Sequence, residues 1–427
     1  MWGATLSDIR PSGTDHFGRT LTGSGVLRDI GWLATCRAEG QQADIHPLEN
    51  AAIAWHGGVI DWVGPQDELP VEVAERETHS AEGHMVIPGL VDCHTHLAFG
   101  GWRSDEFRRK LAGENYLDIA ASGGGIRKTM RQTREASSED LIAHCLHHLG
   151  QMTALGVTTV ECKTGYGLSY EDELRVLRVY RDLTEKTPLS IVKTLLAAHV
   201  VPHTDECNKN CYIQMICEKL LPAVAQEGLA QFNDIFVEEG AFTADDARRI
   251  LRVGQSLGLK AKLHVDQLGD GGGGALAAEL GAISADHLEF TSAAGRKAMA
   301  QAGTVGVCLP FASLYLNQPP MNGRAFVEDG VSVAVATDFN PGSAPSWDLP
   351  LAMMLACTMS RLTPAEALKG ATLIAARAID CESDRGSLEP GKRADFVELS
   401  ADNVDEWMYH FRPNVCEATW INGNRIH

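Results

Sequence analysis

Met85-Val86-Ile87-Pro88-Gly89-Leu90-Val91-Asp92-Cys93-His94-Thr95-His96 opens the part of this 427-residue chain whose pattern decides its fold. An apolar, β-branched run leads, after an acid, into two histidines one residue apart. On an extended backbone residues i and i+2 point to one side, so both imidazoles can grip one metal ion without help from a helix. The run is read as a strand over 85–92, and similar runs recur at 157–162, 190–198, 233–237, 260–265, 283–286, 304–309 and 332–337. Between them lie helix-period stretches. Leu141, Cys145, Leu149 and Met152 recur at three- and four-residue steps within 139–155, as do Leu174, Leu177, Tyr180 and Leu183 within 171–186. Eight strands alternating with helices predict an α/β chain of parallel βα units, closed into a (β/α)8 TIM-type barrel over residues 85–379. An open doubly wound sheet is the alternative that the count leaves.

The flanks differ in character. Residues 26–84 and 380–427 hold short alternating runs, such as Ala52-Ile53-Ala54-Trp55 and Thr419-Trp420-Ile421, broken by Gly57-Gly58, Gly64-Pro65 and Pro390-Gly391. They predict one small β-sandwich domain assembled from both chain ends, with the barrel inserted between them. Residues 1–25 read as a polar N-terminal extension. With Asp8, Arg10 and Asp15 and no apolar core, they do not resemble a signal peptide. An apolar content of 44% allows a large core, and a net charge of −19 argues against nucleic acid or an anionic membrane as partner. An anionic small substrate remains compatible, because a local arginine can hold a carboxylate inside an acidic protein. Eleven cysteines without a paired short spacing predict reduced thiols in a cytoplasmic protein. No run reaches the roughly 18 apolar residues that span a bilayer.

Active sites of such barrels form at the C-terminal ends of the strands. The predicted strands are followed by His94 and His96, by Lys163-Thr164-Gly165-Tyr166, by His199, by His264 with Gln267, by Asp286-His287, and by Asp338 with Asn340 and Gly342. His94, His96, His264 and Asp338 form a ligand set for one Zn2+ or Fe ion, with a water completing it. Such an ion lowers the pKa of its water toward ~7. Asp338 can take that water's proton and pass it to a leaving nitrogen, and His287 can stabilise charge on an attacked carbonyl. Other features read more plainly. Gly271-Gly272-Gly273-Gly274 predicts a pliable loop at a helix start rather than a phosphate cradle. Ser122-Gly123-Gly124-Gly125 is expected to belong to a lid over the site. His144, His147 and His148 predict a solvated helix face. His203, Cys207 and Cys211 put only three zinc ligands in view.

Pro88 to His96, the lone His264, the His287 end and Ala336-Thr337-Asp338-Phe339-Asn340-Pro341-Gly342-Ser343 resemble the amidohydrolase superfamily. With Gly100-Gly101-Trp102-Arg103, Lys163-Thr164-Gly165-Tyr166-Gly167 and Ala198-His199, the chain resembles its ring-opening hydrolases of histidine degradation, over about residues 29–427. The resemblance implies hydrolysis of 4-imidazolone-5-propanoate at its ring amide, giving N-formimidoyl-L-glutamate. It implies one Zn2+ or Fe ion per chain at His94, His96, His264 and Asp338, and a homodimer. It also implies substrate or product contacts from Arg103, Tyr166, His199, Gln267, Asn340, Gly342 and Ser343. Arg103 offers a fork of donors suited to a propionate carboxylate, its plain alternative being an ion pair with Asp105 or Glu106. Related deaminases carry a glutamate where this chain has Gln267, which hydrogen-bonds but cannot shuttle a proton. Val237-Glu238-Glu239, at the end of the fourth strand, offers no lysine to bridge two metals. One metal and a cyclic amide therefore fit better than deamination. Another mononuclear hydrolase of a cyclic amide or amidine, and a metal-binding barrel without catalysis, are the rival readings.

Overall fold

In a computed structural model the described residues are 23–114, 123–202, 208–411 and 414–427. Most of the polar extension, together with Ser122, His203 and Cys207, lies outside them. The strands are β1 (Gly25–Ala34), β2 (Pro47–His56), β3 (Val59–Pro65), β4 (Thr78–Ser80), β5 (Met85–Pro88), β6 (Leu90–Thr95), β7 (Val157–Lys163) and β8 (Ser190–Ala198). They continue as β9 (Phe232–Val237), β10 (Lys260–Val265), β11 (Ser284–His287), β12 (Val305–Cys308), β13 (Val333–Val335), β14 (Phe396–Leu399), β15 (Cys416–Ile421) and β16 (Asn424–Arg425).

Strands β6 to β13 hydrogen-bond in chain order as one eight-stranded sheet, every neighbouring pair parallel. Such strands are covered on both faces, and all of β7 is buried, its polar and charged residues included. The two edges then meet. Asp338 N donates to His94 O at 3.0 Å and His96 N to Phe339 O at 2.9 Å, while the Thr337 hydroxyl donates to Asp92 at 2.6 Å. These bonds bring the sheet round into the (β/α)8 barrel; an open sheet would leave its edges apart. The helices between strands begin where small polar residues cap them. Ser137 and Ser169 accept backbone N–H bonds from Asp140 and Asp172 at the starts of Ser138–Thr153 and Tyr170–Thr184.

The run 85–92 is divided between two sheets. At Gly89 the backbone passes so close to β7 that a Cβ would sit 2.4 Å from Thr158 Oγ1. Before it, β5 pairs with β1 and β14; after it, β6 enters the barrel. The second sheet runs β16-β15-β14-β5-β1-β2-β3, with β4 on β1, and draws strands from both chain ends. It curls so that its halves face each other across an apolar core that includes Leu27, Ile53 and Leu388. Trp55 on β2 packs against Phe396 on β14 and Trp420 on β15, ring centroids 5.4 and 5.5 Å away, and donates to Gly423 O at 3.1 Å. The two layers of the expected sandwich are thus two halves of one sheet. Nine described cysteines are free thiols. Cys211 is disulfide-bonded, which corrects the expectation that every cysteine is reduced. No helix among the described residues is long and apolar enough to cross a membrane.

Candidate metal centre and active site

At the C-terminal ends of the barrel strands lies a pocket lined by His96, Arg103, Tyr166, His199, His264, Gln267, His287, Asp338, Asn340 and Ser343, with Ile126 and Phe236. His94 is fully buried beside it. One ligand atom each from His94, His96 and His264 lie within 4.8 Å of one another, and so do one each from His94, His287 and Asp338. Both His94 Nε2 and His96 Nε2 stand 3.4 Å from Asp338 Oδ1. The backbone is bent to bring this about: Asp338 and His287 sit at φ 55 and 80. For non-glycine residues that left-handed conformation costs about 1–3 kcal/mol each, and it collects at functional sites.

The tautomers suit a cation. A carboxylate only accepts, so His94 Nδ1 donates to Asp286 at 2.7 Å and His264 Nδ1 donates to Asp234 at 3.1 Å. In the neutral rings, the form that binds a metal, each Nε2 carries a lone pair, and both Nε2 atoms are buried without a hydrogen-bond partner. Two unpaired lone pairs, His96 and a carboxylate converging on one point form a cradle for a metal ion. Burial pushes the Asp338 carboxyl up, but His94 and His96 outweigh it and hold the group well below the ordinary value. Burial and Lys163 push His94 down; Asp286 and Asp338 outweigh them and raise it to about 8. For His264 burial prevails, lowering it to about 3.

Around the cradle, His199 stacks on His96 with ring centroids 5.1 Å apart. Its Nδ1 donates to Gly165 O at 3.0 Å, leaving Nε2 as an acceptor. Burial lowers its pKa to about 3, so the ring is neutral. Buried Tyr166 lies beside both rings, its centroid 5.8 Å from His96 and 5.6 Å from His199. Arg103 Nε donates to Pro341 O at 3.3 Å, and its guanidinium occupies the space a Gly342 side chain would take: a Cβ there would fall 1.4 Å from Nη2. The plain alternative for Arg103 does not arise, since Asp105 pairs with Lys128 and Glu106 accepts from Gly125 N. Asn340 faces the pocket but is used by its own loop. Its Oδ1 accepts from Gly342 N and Ser343 N at 2.7 and 2.8 Å, and its Nδ2 donates to Asp338 O at 2.6 Å.

Two plainer readings resolve differently. The glycine-rich loop opens the helix Gly273–Glu279, as expected, and cradles an internal anion. Asp266 accepts from Gly271 N, Gly273 N and Gly274 N and from the Thr291 hydroxyl, at 2.7–3.1 Å. The histidine face of helix Ser138–Thr153 is not solvated throughout. His147 is exposed, but His148 is buried, 5.0 Å from Phe339 by ring centroids, and His144 packs on Phe99 at 4.5 Å. The apolar rims of imidazoles fill space under the Asp338 loop there.

The sequence placed Lys163 and Asp286 at strand ends but did not foresee the charges buried beneath the cradle. Glu161, Lys163, Asp234, Lys262 and Asp286 are wholly buried inside the barrel. Burial pushes Glu161 up, yet the Lys163 and Lys262 ammoniums outweigh it and hold it below its ordinary value. The signal was available: each is a charged residue within a strand whose residues are almost all buried. Glu161 with Lys163, and Lys262 with His264, fall on one face by the two-residue period.

A barrel with a buried His/Asp cradle at the mouth defines a metal-dependent hydrolase. The model of the amidohydrolase family matches residues 85–426. An adenosine deaminase from Xanthomonas campestris with bound zinc superposes with a TM-score of 0.67 at 18% identity, covering 97% of this chain and 93% of that one. That likeness is of fold. Imidazolonepropionase from Geobacillus thermodenitrificans is 45% identical over 90% of this chain and 91% of its own. Imidazolonepropionase from Symbiobacterium thermophilum is 46% identical over 90% and 91%. The chain belongs to the amidohydrolase family and, within it, to the imidazolonepropionases.

Proposed function

We infer that this chain hydrolyses the ring amide of 4-imidazolone-5-propanoate to N-formimidoyl-L-glutamate, as a step of histidine degradation. The observation that carries this reading is likeness over about nine-tenths of the chain to relatives bearing that name. The site supports it: the cradle, the neutral acceptor His199 and the cation Arg103 surround one small pocket. A deaminase-like amidohydrolase is less well supported, since Gln267 cannot carry a proton.

His94, His96, His264 and Asp338 would hold one ion, Zn2+ or Fe. When bound it supplies Lewis-acid polarisation and brings the pKa of a water toward ~7. Asp338, kept ionised by its histidine neighbours, accepts the proton of the attacking water and delivers it to the ring nitrogen as the C–N bond breaks. His287, a ring nitrogen within 4.8 Å of an Asp338 oxygen, steadies the oxyanion on the former carbonyl. Arg103 receives the propionate, His199 Nε2 accepts a ring N–H, and Tyr166 and Gln267 shape the walls. Gly342, Asn340 and Ser343 form the loop against which Arg103 is set. The setting we propose is the cytoplasm, which suits the free thiols, and a homodimer, for which sedimentation is the test.

The direct test follows imidazolonepropionate loss spectroscopically, with metal content measured on the same sample. Metal-loaded, folded protein is expected to consume the substrate; no turnover would refute the assignment.

A further inference from the structure

Lys163, at the end of β7, is a buried cation that no step above uses. Its Nζ donates to Glu161 Oε1 and Asp234 Oδ2 at 2.8 Å each, and lies 3.4 Å from Asp286 Oδ2. All four side chains are fully enclosed. Two of those carboxylates are the ones that fix the cradle: Asp286 receives His94 Nδ1 at 2.7 Å, and Asp234 receives His264 Nδ1 at 3.1 Å. The remaining bonds of the two acids come from elsewhere, Ser284 Oγ to Asp286 Oδ1 at 2.7 Å and Ile235 N to Asp234 Oδ1 at 2.8 Å. One ammonium thus stands between two carboxylate–histidine pairs that reach the same point from different strands, β6 by way of β11 and β10 by way of β9.

We propose that Lys163 is a positioning residue for the metal centre: from one ammonium it sets both Asp234 and Asp286, and through them the aim of His264 and His94. Stability alone does not account for the arrangement. Well-packed apolar side chains in place of a buried ion pair are often neutral or better for stability. Placement supplies the reason. Lys163 touches neither substrate pocket nor ligand histidine, yet a shift in its Nζ moves both acids at once. Carboxylates that hold the far nitrogen of a ligand histidine fix the ring and its tautomer, and their loss weakens metal binding about 10–100-fold. Lys163 makes the two holders one unit. Glu161 serves as the internal comparison. It shares the ammonium and also meets Lys262 Nζ at 3.5 Å, but it contacts no ligand histidine.

The inference rests on reading the site as a metal cradle, and its test separates the two. The full chain is loaded with Zn2+, and release to a chromophoric chelator is timed for the parent, Lys163→Met and Glu161→Gln. Circular dichroism and the melting temperature of the metal-free forms are recorded beside it. Lys163→Met is expected to release zinc about 10–100-fold faster than the parent. Glu161→Gln, which leaves Lys163 between Asp234 and Asp286, is expected to release it at about the parental rate. Parental release from folded Lys163→Met overturns the proposal, and so does equal acceleration by both variants, which would make Lys163 a general charge balancer. If Lys163→Met does not fold, Asp234→Asn, Asp286→Asn and their double variant carry the test. Acids sharing one ammonium give a double variant whose acceleration falls short of the product of the singles; simple multiplication overturns the link. A folded parent that takes up no Zn2+ overturns the cradle reading and this proposal with it. A parent that holds Zn2+ beside an unchanged Lys163→Met overturns this proposal alone.

Discussion

Arg103 and Gly342 act as one device. The guanidinium lies where a side chain at 342 would be, so glycine is required there for close approach rather than for backbone freedom. Arg103→Ala is expected to raise KM about 10–100-fold with kcat little changed, matching the worth of a charge-assisted hydrogen-bond pair. Gly342→Ala is expected to displace Arg103 and raise KM likewise, while the double variant is no worse than Arg103→Ala. Independent, multiplying effects would show that the two do not act together. Asp338→Ala should instead remove turnover, lowering kcat at least about 100-fold; a KM effect alone would contradict its assigned role. His144 gives a pH-dependent prediction. Burial lowers its pKa to about 4, whereas unfolded histidine titrates near ~6.5. The unfolded chain takes up the proton first, so stability is full above about pH 6.5 and falls as pH drops toward the folded value. His144→Gln is therefore expected to lose less melting temperature than the parent between about pH 7 and 5; identical losses would count against it.

Among the elements, the turn after β10 shows how a short segment is tied to the site. Asp266 follows directly on Val265 and precedes Gln267, and it is buried with four hydrogen bonds to the glycine loop and Thr291. Through them the start of helix Gly273–Glu279 is pinned to the strand that carries His264. Asp266→Ala strands those donors, at a cost of about 2–3 kcal/mol in denaturant unfolding. A loss under about 0.5 kcal/mol, as for an ordinary surface change, would refute the tie. The His94-Thr95-His96 pair depends on its element in the same way. Strand alternation turns both rings to one side, but the bonds of β6 to the chain after β13 bring Asp338 to them.

For the molecule as a whole, the barrel supplies the pocket and the curled sheet ties the chain ends together. Trp55→Ala is expected to cost about 3–5 kcal/mol, because that indole fills the core between the sheet's halves. Activity per folded molecule should stay near parental, since no contact of Trp55 reaches the pocket; a matching fall in kcat would refute that separation. Removing the metal tests the cradle globally. A ligand bound only by the folded state adds about 2.7 kcal/mol at a hundredfold excess over Kd, so the metal-loaded form should melt higher than the stripped form. By itself the sequence determined the repeated βα units, the sheet drawn from both ends, and the residues that ring the pocket. These follow from local periodicity and from what stands at each strand end, and periodicity survives in a linear chain. Only the tertiary structure decided that Lys163 stands between Asp234 and Asp286, that Asn340 is consumed by its own loop, that Gly89 divides one apolar run between two sheets, and that His148 is buried. Each of these depends on which distant atoms come within a few ångströms, and no spacing along one strand encodes that distance.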